Sequence, residues 1–290
     1  MSHMNNFIEL IRPRHYVKNI LVLVPMALAS NPTGVLLDTG SAYNLFLTFV
    51  VFCLTASAVY AMNDAMDAKR DAEHPKKRHR PVASGRISVR QSLLIALMLS
   101  ILALGLSILV SLLTTALLLT YIALNILYSA ILKRVVILDI VIVSLGFPIR
   151  MITGMVAIGD FATLHFIPSL FFASVTLCFL KRFIKLGQSN SRMNWGYSGL
   201  YTVTTLISSI AVSSLVTMAL VGAALMQPPV AIWIEMVVIV PITAFILSRV
   251  LIQCISTQTE PTEIVYHDRT VLVSSVILLA AFLFINVLPA

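Results

Sequence analysis

The sequence predicts an all-α integral membrane protein with nine transmembrane helices. Of its 290 residues, 59% are hydrophobic and 11% are charged, whereas soluble domains carry roughly 25% charged residues. The mean hydropathy is +0.96. The hydrophobic residues fall in runs long enough to cross a bilayer, which takes ~17–25 residues each. Basic residues gather at alternate ends of these runs, as expected when one side faces the cytoplasm.

Nine hydrophobic runs are long enough to span the membrane. The first is the weakest, because Pro25 and Pro32 would kink or end a helix there. We predict one transmembrane catalytic domain over residues 1–290, with Met1–Met4 resembling a cloning remnant. The runs are 16–37, 41–62, 90–111, 113–132, 136–158, 163–182, 199–224, 229–251 and 271–289.

The basic residues predict the orientation. With the N-terminus in the cytoplasm, no Lys or Arg falls in an outer connection, and the C-terminus lies outside. The long connections 63–89, 183–198 and 252–270 then share the cytoplasmic side. Loops above ~12–15 residues are usually functional or disordered. We therefore expect a polar cavity that faces the cytoplasm.

Charge and cysteine content exclude other classes. A net charge of +8 would suit nucleic acid, but in so hydrophobic a chain we expect the lipid bilayer as partner and no nucleic acid. Cys53, Cys178 and Cys254 lie in hydrophobic segments without metal-ligand spacing, so we expect neither a disulfide nor a zinc site.

An acidic cluster follows the second run. Its members lie within about 100° of one another around an ideal helix. Three carboxylates so close repel one another unless a cation lies among them, which favours Mg²⁺. The alternative is a solvated helix end whose charges pair with Lys69 and Arg70, although these two point elsewhere on the helix. The cluster consists of Asn63, Asp64, Asp67 and Asp71.

A basic segment, 76–86, comes next. It would serve as a membrane anchor worth about 1 kcal/mol per basic residue near anionic lipid. Two turns among its charges, Arg80-Pro81 and Ser84-Gly85, also favour a diphosphate site, because Arg forks and free backbone amides bind phosphate. Both roles stay open.

These motifs resemble those of a known membrane family. Asn63-Asp64-x-x-Asp67-x-x-x-Asp71, followed by Arg80-Pro81-x-x-Ser84-Gly85, is similar to the first Asp-rich motif of the UbiA superfamily of intramembrane prenyltransferases. Further stretches resemble its decaprenyl-phosphate phosphoribosyltransferase branch. They are Arg12-Pro13-x-x-Tyr16-Val17-Lys18-Asn19, His74-Pro75-x-Lys77-Arg78-x-Arg80-Pro81, Tyr128-Ser129-x-x-Leu132-Lys133, Asp139 with Gly146-Phe147-x-x-Arg150, and Glu260-Pro261 with Asp268-Arg269.

The resemblance implies a UbiA-like bundle in the plasma membrane and a reaction. The branch transfers a 5-phosphoribosyl group from phosphoribosyl diphosphate to a polyprenyl phosphate and releases diphosphate. Mg²⁺ on the acidic cluster would neutralise the leaving diphosphate. The implied catalytic carboxylates are Asp64, Asp67 and Asp71, which with Asn63 would also bind the metal. The implied substrate- and phosphate-binding residues are Lys18, Asn63, Lys77, Arg80, Tyr128, Lys133, Asp139, Arg150, Lys181 and Arg182.

Several of these residues have alternative roles. Arg150 lies inside a hydrophobic run, at a cost of at least ~2.5 kcal/mol. It is either a structural residue satisfied by carbonyls or a buried acid, or a substrate ligand. Asp139 extends the polar cavity or pairs with Lys133 or Arg134. Lys18 binds a phosphate or only extends its amine to the membrane surface.

One departure from the family opens a second function. Prenyl diphosphate transferases of this superfamily usually carry another Asp-rich motif after the sixth span, but 181–198 has no carboxylate. Lys185 stands where the phosphoribosyl branch often has an acid. The alternative activity is prenyl transfer from a polyprenyl diphosphate to an aromatic or other small acceptor. A transporter is disfavoured, because the charges concentrate on one side of the membrane.

Overall fold

A computed structural model describes residues 3–28, 38–134, 138–161, 164–187 and 268–287, with isolated positions between 242 and 264. These residues form helices joined by turns, with no strand among them. They fall into two compact units. Unit 1 comprises Met1–Met26, Leu37–Val135 and Ile149–Phe161, and unit 2 comprises Ala27–Leu36, Val136–Pro148 and Ala162–Ala290.

The described helices follow one another with short connections. In chain order they are α1 (His3–Ile11), the 3-10 helix Pro13–Val22, α2 (Val24–Leu28), α3 (Thr39–Met66), α4 (Ala68–Ala72), the 3-10 helix Lys77–His79, α5 (Val89–Ile108), α6 (Leu112–Ala130), the 3-10 helix Leu132–Arg134, α7 (Leu138–Ile158), the 3-10 helix Leu164–Phe166, α8 (Ile167–Gly187) and the last described helix, Arg269–Val287.

Four described helices, α3, α5, α6 and α7, are long and hydrophobic enough to cross a membrane, so this is a membrane protein. They coincide with the predicted runs 41–62, 90–111, 113–132 and 136–158. α8 and the last described helix coincide with 163–182 and 271–289. Run 199–224 lies outside the described residues, as does run 229–251 apart from isolated positions.

The first predicted run, 16–37, differs from one continuous α-helix. The chain forms a 3-10 helix over Pro13–Val22 and then the short helix α2. Pro25 stands at the second position of α2, where a residue without an N–H is tolerated but cannot extend the preceding helix. Residues 29–37 lie outside the described part.

The long helix α3 is the centre of unit 1. Its N-cap is Asp38, whose side chain accepts hydrogen bonds from the backbone N–H groups of Gly40 and Ser41. Hydrogen bonding from Ser41, together with that from Gly40, holds the pKa of the Asp38 carboxyl below its usual value. α3 packs against α5, α6, α1 and the 3-10 helix Pro13–Val22. Small buried residues such as Ala56 and Ala58 allow this close helix packing.

A hydrophobic cluster attaches neighbouring segments near the end of α3. Leu10 of α1 is fully buried in a cluster with Ala61, Val82, Ile87 and Ala96, which attaches α1 and the basic segment to α3 and α5. Elsewhere in unit 1, α7 approaches the backbone of Val22 closely. A Cβ on Gly154 would come within 2.0 Å of the Val22 carbonyl oxygen, so glycine is required there.

Unit 2 has its own core and polar links. Leu180, Val250, Ile264 and Val271 form a buried hydrophobic cluster. On the first part of α7, the Ser144 carbonyl accepts a hydrogen bond from Ser174 Oγ of α8 at 3.1 Å.

Candidate metal and phosphate site

The acidic cluster lies where α3 ends. Asn63 and Asp64 belong to its last turn, Asp67 is the C-cap, and Asp71 lies on α4. Asp67 N–H donates to the Asn63 carbonyl at 2.9 Å, and Asp71 N–H donates to the Asp67 carbonyl at 2.8 Å. Helical i→i−4 backbone hydrogen bonding therefore continues across Asp67, which lies between α3 and α4.

Two arginines bind Asp64, and one of them also binds Asp71. Asp64 Oδ1 accepts hydrogen bonds from Arg12 Nη2 and, at 3.2 Å, from Arg80 Nη1. The same Nη1 atom donates to Asp71 Oδ2 at 2.6 Å. Lys77 Nζ lies 3.5 Å from Asp71 Oδ1. The structure thus brings the predicted residues Asp64, Asp71, Lys77 and Arg80 together.

Asp67 and Asn63 face the end of α6 instead. Lys133 Nζ donates to Asp67 Oδ1 at 2.6 Å, and Ser129 Oγ hydrogen-bonds Asn63 Oδ1. Lys69 and Arg70, the partners considered from the sequence, are exposed. Within the described part of the chain, Arg12, Lys77, Arg80 and Lys133 form ion pairs with the three carboxylates.

The residues present fit a divalent cation at Asp64. The Asp64 side chain is 2% exposed, and within the described part its Oδ2 atom is buried without a hydrogen-bond partner. Leaving a charged oxygen buried and unsatisfied costs more than ~1–3 kcal/mol, and a hard cation is its natural ligand. No group of three or more His, Cys, Asp or Glu side chains among the described residues is arranged to hold a metal. The predicted set Asn63, Asp64, Asp67 and Asp71 stays a prediction.

Arg12 was absent from the predicted site residues, although its motif was noted. Its backbone is left-handed, with φ 52° and ψ 63°, a conformation that costs a non-glycine residue about 1 kcal/mol. The following Pro13 already disfavours the right-handed helical region. This turn brings the Arg12 guanidinium to Asp64 and over the ring of Tyr60, 5.5 Å from its centroid. In the sequence, the Arg12-Pro13 dipeptide was the feature that could have indicated a turn at this position.

Arg150 lies in a separate buried network in unit 1. Its side chain donates from Nε to Asn19 Oδ1 and from Nη2 to Tyr121 Oη, both at 2.9 Å. The guanidinium carbon lies 5.2 Å and 5.1 Å from the ring centroids of Phe52 and Tyr121. We call Arg150, Asn19, Tyr121 and Phe52 the Arg150 network. It joins α3, α6, α7 and the 3-10 helix Pro13–Val22.

Unit 2 carries other predicted residues. Asp139 is buried and accepts a hydrogen bond from Arg182 on α8, whereas Lys133, one partner considered for it, contacts Asp67. Lys181 is half-buried, and the side chain of Lys185 lies outside the described part.

Asp268 belongs to the motif recognised near the C-terminus. Burial raises its pKa, but hydrogen bonds from Arg249 and from the backbone N–H groups of Thr270 and Val271 outweigh burial, so the pKa is lowered overall. Arg249 Nε lies 2.9 Å from Asp268 Oδ2. Glu260 of the same motif lies outside the described residues.

Of the remaining predicted residues, Lys18 and Tyr128 are half-buried in unit 1.

The fold matches a solved structure over nearly the whole chain. A UbiA homologue from Archaeoglobus fulgidus, solved bound to GPP and Mg²⁺, superimposes with a TM-score of 0.74 at 16% sequence identity. The match covers 98% of this chain and 100% of that one. At this identity the likeness shows a shared fold.

Curated relatives match part of the chain. The decaprenyl-phosphate phosphoribosyltransferase of Mycolicibacterium smegmatis is 36% identical over 183 residues, 63% of this chain and 57% of the relative. The digeranylgeranylglyceryl phosphate synthase of Korarchaeum cryptofilum is 32% identical over 166 residues, 55% of this chain and 54% of the relative. The alignments thus span little more than half of each relative. Residues 20–258 match the UbiA prenyltransferase family, and the chain belongs to that family.

Proposed function

We propose that this protein is a Mg²⁺-dependent polyprenyl-phosphate phosphoribosyltransferase. It would transfer a 5-phosphoribosyl group from phosphoribosyl diphosphate to a polyprenyl phosphate and release diphosphate. The observation that carries the proposal is Asp64, a buried carboxylate. One of its oxygens has no hydrogen-bond partner among the residues that the structure describes, and the other accepts from two arginines. This combination suits a metal-bound diphosphate. The names of the M. smegmatis relative and of related curated proteins support the choice of substrates.

The residues of the acidic cluster and their cations would divide the work. Asp64, Asp67, Asp71 and Asn63 would hold Mg²⁺, which when bound neutralises charge on the leaving diphosphate. Basic side chains beside them would bind and orient the phosphate oxygens. In the reaction the bond from ribose C1 to the diphosphate oxygen breaks, and that oxygen keeps the electron pair. A lipid phosphate oxygen bonds to C1. The basic residues are Arg12, Lys77, Arg80 and Lys133.

No strong general base is needed in this scheme. A polyprenyl phosphate is already an anionic nucleophile, so positioning in line with the leaving group supplies much of the catalysis. We assign positioning of the substrates to the remaining predicted residues on the basis of their charge, polarity and motif membership. These are Lys18, Tyr128, Asp139, Arg150, Lys181 and Arg182.

The proposal includes the membrane arrangement. We propose a single domain of nine transmembrane helices in the plasma membrane, with the N-terminus and the polar cavity cytoplasmic and the C-terminus outside. The alternation of basic residues supports this orientation, and four hydrophobic helices among the described residues support membrane insertion.

Prenyl transfer from a polyprenyl diphosphate is the second candidate. Family membership and the likeness to the K. cryptofilum synthase favour it. The lack of any carboxylate in 181–198 counts against it, because capture of a prenyl diphosphate by two metal clusters would need acids there.

A labelled-donor assay tests the proposal. Purified protein is incubated with labelled phosphoribosyl diphosphate and a polyprenyl phosphate, with Mg²⁺ or with EDTA. We expect a labelled lipid that forms only with Mg²⁺. Absence of that lipid, together with product from a prenyl diphosphate and an aromatic acid, would replace the proposal by the second candidate.

A further inference from the structure

One atom of Arg80 lies between the two most buried carboxylates of the acidic cluster. Arg80 Nη1 is 3.2 Å from Asp64 Oδ1 and 2.6 Å from Asp71 Oδ2. A single nitrogen therefore holds two carboxylates together. A cation that bridged Asp64 and Asp71 would lie in the same place.

The two carboxylates differ in what they offer a metal. Asp64 keeps one oxygen, Oδ2, without a hydrogen-bond partner among the described residues. Both oxygens of Asp71 contact cations, Oδ1 at Lys77 and Oδ2 at Arg80. A divalent cation can approach Asp64 directly, but it gains Asp71 as a second ligand only when Arg80 moves. Because the guanidinium is always charged, its repulsion of the incoming metal cannot be relieved by deprotonation.

Arg80 is free to make that move. Its side chain is 30% exposed, whereas those of Asp64 and Asp71 are 2% and 4% exposed. Displaced from the carboxylates, its fork of N–H donors needs a new anionic partner. A diphosphate beside the metal provides one, since guanidinium groups bind phosphate oxygens through paired hydrogen bonds.

We propose that Arg80 and a divalent cation compete for the place between Asp64 and Asp71, and that diphosphate relieves the competition by binding the displaced guanidinium. The inference rests on the metal site of the proposed function. Its consequence is reciprocal: diphosphate tightens metal binding, and metal tightens diphosphate binding, by the same factor. Because of Arg80, the metal and diphosphate each bind weakly alone and more tightly together.

Metal affinity without any substrate tests the competition. Mn²⁺ binding to wild type, Arg80→Gln and Arg86→Gln is followed by electron paramagnetic resonance of the free ion. Arg86 is the matched control, because it lies on the same basic segment but pairs with Glu9 at 2.6 Å. We expect Arg80→Gln to bind Mn²⁺ about fivefold tighter or more, and Arg86→Gln to change by no more than about twofold, since exposed charges are screened. Equal or weaker binding by Arg80→Gln would overturn the inference.

Diphosphate gives a second readout, which wild type alone can provide should Arg80→Gln fold poorly. Mn²⁺ titrations are repeated with inorganic diphosphate, with the metal–diphosphate complex in solution measured separately. We expect diphosphate to tighten metal binding to wild type about fivefold or more, and to do so less in Arg80→Gln. A wild-type affinity that diphosphate leaves unchanged would contradict the competition.

The experiment separates this inference from the proposed function. Neither titration contains lipid or phosphoribosyl donor, so a failed transfer assay leaves both readouts valid. Wild type that binds no Mn²⁺ under either condition would overturn both the metal assignment and the competition. Metal binding that is indifferent to Arg80 would overturn only the competition.

Discussion

The acidic cluster and the Arg150 network both hold buried charge, but they stabilise it in different ways. In the cluster, the buried carboxylates of Asp64 and Asp71 pair with cations whose side chains are 21% to 40% exposed. In the network, a cation that is 4% exposed contacts an amide oxygen, a phenol and two aromatic rings. Partners that reach solvent can exchange for a ligand, whereas partners packed between helices cannot. Under the proposed function, the exposed partners suit the cluster to ligand exchange, whereas the packed partners of Arg150 suit the network to a fixed geometry.

We expect the largest effect from a substitution of Asp64 in the acidic cluster. Asp64→Asn removes the charge of the proposed metal ligand. Loss of a residue that only orients a metal ligand lowers activity about 10- to 100-fold, so loss of the ligand itself should lower phosphoribosyl transfer by more than about 100-fold. Initial rates at saturating Mg²⁺ measure this. Glu9→Gln, which removes a carboxylate paired with Arg86, should keep wild-type rates. Near-wild-type turnover by Asp64→Asn would remove the metal assignment.

The fixed geometry of the other region is tested at Gly154. Gly154→Ala would bring Cβ to 2.0 Å from the Val22 carbonyl oxygen, so α7 must shift, at a cost of about 3 kcal/mol. Gly105→Ala in α5 is the matched control, since a Cβ there meets nothing within 4 Å. It should be neutral or stabilising by up to about 1 kcal/mol. Unfolding in detergent measures both, and equal stabilities would contradict the close approach.

Arg150→Met probes the network itself. The change leaves Asn19 Oδ1 and Tyr121 Oη without the bonds they make to Arg150, at a cost of about 2 kcal/mol. Unfolding in detergent measures the loss. If Arg150 also positions substrate, KM for polyprenyl phosphate rises as well. A variant with lower stability and an unchanged KM would make Arg150 purely structural, and unchanged stability would contradict the network.

The smallest expected effect lies at the rim of the cluster. Lys77 is 40% exposed and 3.5 Å from Asp71, so Lys77→Gln should change stability by less than about 1 kcal/mol. The measurement is thermal unfolding at low and high salt. A loss of several kcal/mol would show that Lys77 is held as rigidly as Arg150, which would erase the contrast between the two regions.

The sequence predicted features that depend on local pattern. Hydrophobic runs located α3, α5, α6 and α7 because a transmembrane helix needs only length and low polarity. Helical spacing also predicted that the backbone of the acidic cluster is helical, and the i→i−4 backbone bonds persist from Asn63 to Asp71. The side chains divide, however, because Asp64 and Asp71 share Arg80 whereas Asp67 contacts Lys133.

Pairings between distant segments could not be predicted in the same way. Arg12 meets Asp64 across 52 positions, and Lys133 meets Asp67 across 66. Such contacts depend on how helices pack, which hydrophobic periodicity does not encode. Spacing along the helix offered only Lys69 and Arg70 as nearby cations and already directed both away from the cluster; they are exposed. The 3-10 helix after Pro13 was missed because hydropathy does not distinguish it from an α-helix.

Direct competition between donors tests the central claim. Protein in lipid nanodiscs receives phosphoribosyl diphosphate, a prenyl diphosphate, polyprenyl phosphate and an aromatic acid together, with Mg²⁺, and mass spectrometry identifies the products. We predict a polyprenyl phosphate that has gained one phosphoribosyl group, in amounts that fall to background with EDTA and in Asp64→Asn. A prenylated acceptor without any phosphoribosyl lipid would contradict the account.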